Sequence, residues 1–109
     1  NDGNVTVSLQ NSGSQDRTLD RARIAFFNPS NSNSNPPEYG DLNGNASDRL
    51  TFGDPYESID AVTINAGQTV DVYVEFDVTG NWKITRGDFF ILSIIYEDGE
   101  TADYFVSVP

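Results

Sequence analysis

The chain has 109 residues, enough for one domain around a single modest core, and only 37% of them are hydrophobic. Seventeen Asp and Glu face six Lys and Arg, for a formal net charge of -11, so nothing here neutralises a phosphate backbone and nucleic acid is excluded as a partner. His and Cys are both absent, which excludes disulfides, Ser-His-Asp and Cys-His catalysis, and ordinary zinc sites.

Taken from the start, Val5, Val7 and Leu9 alternate with Thr6 and Ser8, the period of a half-buried strand. Asn11 to Asp16 is a polar turn. A second strand is predicted over about Thr18 to Phe27, with Ala22, Ile24 and Phe26 on one face. Arg21 and Arg23 fall on the other face, beside Asp20 and Asp16. Residues 28–49 are rich in Asn, Ser, Pro and Gly, and read as a long connection. A short strand is predicted at Leu50 to Phe52, then a turn from Phe52 to Tyr56 and a strand from Ile59 to Ile64. Asn65 to Gln68 turns the chain into the clearest alternation of all, Val70, Val72, Val74, Phe76 and Val78. Thr79-Gly80-Asn81 ends it. Phe89 to Tyr96 is apolar on both faces, as in a central strand. Asp98-Gly99 suits a two-residue primed hairpin turn, and the chain returns through Tyr104, Val106 and Val108. No segment holds a helical period, and no apolar run is long enough to cross a bilayer. Residues 1–109 therefore read as a single all-β domain, an antiparallel sandwich of six or seven strands.

Several constellations carry chemistry. In Asp41-Leu42-Asn43-Gly44-Asn45-Ala46-Ser47-Asp48, the oxygens of Asp41, Asn43, Asn45, Ser47 and Asp48 alternate as in many calcium loops. A plain polar loop is the simpler account, since Ala46 stands where Gly is usual and Phe52 where an acid is. No other cofactor is expected. Asn4-Val5-Thr6 and Asn45-Ala46-Ser47 are glycosylation sequons, Asn45 being in the more open segment. Tyr39, Tyr56 and Trp82 stand beside Pro, Gly or Asn, where an aromatic can stack on a sugar or anchor a protein partner. Trp82 also suits a plug at a strand end. Arg21 and Arg23 can grip a carboxylate on a neighbouring subunit, or pair within the chain with Asp16 or Asp20. The 17 acids supply many chance pairs but no pocketed acid-base couple, so the expectation is that the domain is not an enzyme.

The opening strand running into Asn11-Ser12-Gly13, the run Ala66-Gly67-Gln68-Thr69-Val70-Asp71-Val72 and the closing hairpin together resemble immunoglobulin-like modules of archaeal surfaces. The outer domains of pilus and archaellum subunits look similar, as do cell-adhesion-related domains of secreted proteins. The acidic, lysine-poor surface, with Lys83 the only lysine, resembles proteins of extreme halophiles. The resemblance implies an immunoglobulin-like fold and an extracellular, cell-surface domain. Its implied partners are other surface or filament proteins, copies of itself, or glycans. Filament subunits carry an apolar N-terminal helix, and no such segment stands in this sequence. The chain does not begin with Met, so a longer parent is expected, and any membrane contact would run through a region outside this chain.

Overall fold

The structure is a computed structural model and describes residues 3–30, 37–52, 55–78 and 84–109. Strand β1 (Asn4–Gln10) buries every second residue, because Val5, Val7 and Leu9 share one side of the pleat. It runs antiparallel to β6 (Thr69–Phe76), which does the same with Val72, Val74 and Phe76. Beyond β6 lie β3 (Tyr39–Leu42) and β4 (Arg49–Thr51), which gives the first sheet the order β1-β6-β3-β4. The second sheet has the order β5-β2-β7-β8, built from β5 (Glu57–Ile64), β2 (Arg17–Asn28), β7 (Phe89–Tyr96) and β8 (Thr101–Ser107). The two inner faces meet in one apolar core, where Phe76 and Phe90 pack edge to face at 5.1 Å. All strand pairs within the sheets are antiparallel, as expected of a β-sandwich.

The described residues hold eight strands, against the six or seven expected, because the polar 28–49 segment is not all connection. Pro37 and Gly40 are buried, and β3 pairs with both β6 and β4. Gly40 makes this possible, since a Cβ there would collide with the Val74 side chain. A second pin is Asp88, fully buried, which accepts hydrogen bonds from the amides of Ser30 and Thr85 at 2.7 Å each.

Two local expectations are corrected. Phe26 does not share the inward face of Ala22 and Ile24. The β2–β7 register shifts between Ile24 and Phe26, so Phe26 turns outward at 48% exposure and Phe27 packs inward on Phe76 and Phe52. The β7–β8 hairpin is not a two-residue primed turn. Only Gly99 takes a positive φ (90°), while its amide bonds to Tyr96 O and the Tyr96 amide to Glu100 O. That is a three-residue loop closed by a glycine bulge.

Candidate functional site

The outer face of the second sheet gathers features that no other described surface combines. On β7 the inward residues Phe90, Leu92, Ile94 and Tyr96 are buried, so Phe89, Ile91, Ser93 and Ile95 point outward. The register then sets cross-strand rows. Arg23, Ser93 and Asp103 form one row; Phe26, Ile91 and Phe105 form the next. Phe89 lies diagonal to both phenylalanines, at 6.2 Å from Phe26 and 5.9 Å from Phe105, with planes tilted by 59° and 50°. Phe105 is 70% exposed. A central strand with Phe89, Ile91 and Ile95 on its outer face has the composition of a strand covered on both sides.

The polar row is ordered. Ser93, only 1% exposed, donates its hydroxyl to Asp103 Oδ1 at 2.6 Å. The Arg23 guanidinium lies 4.4 Å from the centre of the Tyr56 ring, so two of the expected partner-binding residues meet. Arg21, beside Ile95, approaches the Asp20 carboxylate only at 3.9 Å. The Asp16 carboxylate accepts the Ala66 amide at 2.9 Å. Two arginines therefore flank an apolar aromatic strip on a chain of net charge -11.

The remaining candidates lie elsewhere. Tyr39 is half-buried in β3 with the Arg49 guanidinium 3.7 Å over its ring. Arg49 also donates to both oxygens of Asp41, at 2.9 and 3.3 Å, and that bond raises its pKa. The other oxygens of the 41–48 segment turn to separate donors. Asn43 Oδ1 accepts the Tyr73 amide, Asp48 Oδ1 accepts the Asp60 amide, and Asn45 Oδ1 accepts from the amide and hydroxyl of Ser47. Asn45 thus caps the 3-10 turn Ala46–Asp48. Among the described residues, no three His, Cys, Asp or Glu side chains are grouped to hold a metal. Both sequon asparagines, Asn4 and Asn45, are exposed. Trp82 lies outside the described residues. A cleft of about 270 Å³ between Gln15, Arg17, Tyr96 and Asp98 is filled at its wall by Arg17, stacked 3.7 Å over Tyr96 and paired with Glu100 at 2.9 Å.

No protein-family model matches the chain, and no curated protein matches it in sequence.

The aromatic strip was missed by period-two reading, which put Phe26 inside. A signal was present. Phe26-Phe27 and Phe89-Phe90 are consecutive aromatics in strands, and neighbouring residues face opposite sides. One ring of each pair had to point away from the core.

Proposed function

We propose that this is an immunoglobulin-like, non-catalytic interaction domain of an extracellular cell-surface or filament protein adapted to high salt. It binds a neighbouring protein subunit through the outer face of β5-β2-β7-β8. The strand order supports the fold reading. Pairing of β1 with β6 in one sheet, and of β2, β7 and β8 in the other, follows the B–E and C–F–G pairings of immunoglobulin domains. Strand β5 extends the second sheet beside β2, and β3 and β4 extend the first beside β6.

The observation that carries the functional reading is the strip Phe26, Phe89 and Phe105 beside Arg21 and Arg23. Aromatic side chains and arginine are the residue types that dominate protein contacts, and this chain places both together. The complementary surface is apolar and rimmed by carboxylates, as a subunit of like composition would be. A glycan fits less well. The Phe89 ring is tilted by 59° to Phe26 and by 50° to Phe105, which breaks any flat shelf for sugar rings, and Tyr39 and Tyr56 are each already faced by an arginine.

Replacing Arg21 and Arg23 by Glu, or Phe26 and Phe105 by Ser, within the parent protein tests this. Both variants are expected to lose incorporation into the native surface assembly while remaining folded in molar KCl, with a cooperative melt. Normal assembly of both would overturn the assignment of this face.

A further inference from the structure

The four edge strands of the sandwich are not protected alike. Strand β4 is three residues long and carries Arg49; β5 carries Glu57 and Asp60; β8 carries Asp103. Charges on an edge, or a very short edge, are the usual defences against pairing with another chain. Strand β1 has neither. Its seven residues, NVTVSLQ, include no charge and no proline, in a chain with 21% charged residues.

The register shows which backbone groups this edge presents. The Phe76 amide bonds to Gly3 O and the Asn11 amide to Gln68 O, so the odd-numbered residues of β1 exchange hydrogen bonds with β6. The N–H and C=O groups of Thr6, Ser8 and Gln10 therefore point the other way, off the sheet edge. Their side chains are exposed and uncharged. The carboxylates nearest to them in the ladder, Asp71 and Glu75, sit one strand back on β6, with Ser8 Oγ donating to Asp71 at 2.7 Å.

A second observation lies across the core from this edge. Strand β4 packs towards β2 and β5, which leaves β1 at the opposite end of the sandwich, the end formed in the second sheet by β7 and β8. The inward row of β8, namely Ala102, Tyr104 and Val106, is only half-buried, whereas the inward rows of β1 and β7 are fully buried.

We infer that the β1 edge pairs antiparallel with β1 of a second copy of this chain, about a two-fold axis perpendicular to the sheet. Ser8 then faces Ser8 of the copy and Thr6 faces its Gln10, so each unpaired donor meets an acceptor. The same axis keeps the second sheets on one side, with the half-buried β8 rows of the two copies on either side of the seam. A copy is the fitting occupant because an antiparallel strand edge is self-complementary. It is also the uncharged edge, where two chains of net charge -11 repel least. An edge contact of this size is small, so the dimer is weak and concentration-dependent. Screening of Asp71 and Glu75 makes it tighter in molar KCl. This surface is separate from the aromatic face and does not depend on it.

Sedimentation equilibrium in molar KCl, from dilute to millimolar protein, is expected to show a monomer–dimer transition that weakens at least tenfold in dilute buffer. Hydrogen exchange on the wild-type chain gives the positional readout. The amides of Thr6, Ser8 and Gln10 should gain protection as concentration rises, whereas those of Val5, Val7 and Leu9 are protected throughout. Ser8→Pro should abolish the dimer yet fold, because the Ser8 amide is not in the β1–β6 ladder. Phe105→Ser should leave the dimer intact. A monomer at every concentration overturns the inference, as does a dimer that forms without protecting Thr6, Ser8 and Gln10, or one that Phe105→Ser removes. The exchange measurement decides the matter even if Ser8→Pro fails to fold.

Discussion

Several single residues carry more of this fold than their polarity suggests. Asp88 is a buried carboxylate that satisfies two backbone amides, Ser30 from the far end of β2 and Thr85 from its own loop. Asp88→Ala would remove the acceptor of both part-buried amides, at a cost of about 2 kcal/mol, and Asp88→Asn about half of that. Urea titrations of the two variants check the order. Asn11 acts similarly, its side-chain amide donating to the carbonyls of Gln15 and Ile64 while its oxygen accepts the Gly13 amide. Gly40→Ala should destabilise by about 1–3 kcal/mol, because the added methyl meets Val74 where β3 crosses close to β6. Tyr96 gives a pH signature. Burial, then its hydrogen bond with Tyr104, pushes its pKa up from 10.0 to about 12. The folded state thus holds the phenol proton more tightly than the unfolded chain. Its contribution is complete below the unfolded value and is lost as pH rises from about 10 to about 12. Discounted for solvent screening, the loss should be about 1 kcal/mol. Melts across that alkaline window should fall steeply in the wild type and less so in Tyr96→Phe.

At the scale of elements, β2 shows how one register shift redistributes its aromatic rings between core and surface. Strict alternation from Ala22 through Ile24 would bury Phe26 and expose Phe27. The irregularity between Ile24 and Phe26 reverses this, giving Phe27 to the core and Phe26 to the surface strip. The energetic consequence is testable within β7 and β8. Phe90→Ala removes a ring that is wholly inside and should cost about 3–5 kcal/mol. Phe105→Ser removes a ring that is mostly in water and should cost less than about 1 kcal/mol, the size of one cross-strand pair. Equal losses in denaturant melts would mean that the strip supports the fold rather than a partner. The 28–49 segment teaches a related lesson. Its composition is that of a connection, yet four of its residues form β3 because β6 offers a ladder and Gly40 allows the approach.

For the whole molecule, charge is the governing variable. Surface ion pairs such as Arg17 with Glu100 add little, and the excess of carboxylates remains. Self-repulsion at a net charge of -11 opposes the compact state and is screened by salt, with a Debye length of about 10 Å at 0.1 M and about 3 Å at 1 M. The melting midpoint should therefore rise between dilute buffer and molar KCl. A midpoint that stays constant would remove the proposed adaptation to high salt.

Alternation of apolar and polar residues was enough to place most of the strands, because the pleat repeats every two residues and one face of each strand must be dry. The all-β class, the buried rows of β1 and β6, and the central position of β7 follow from that local rule. The hairpin at Gly99 was legible as a hairpin, though its loop is one residue longer than Asp-Gly alone suggested. Arg21, Arg23 and Tyr56 were legible as candidate contact residues, and the meeting of Arg23 with Tyr56 was not. Only the tertiary structure decided which edges stay open, where Asp88 and Asn11 find their partners, and that Phe26, Phe89 and Phe105 come together. Those facts join residues tens of positions apart in sequence, through strand registers and a bulge that no local period records.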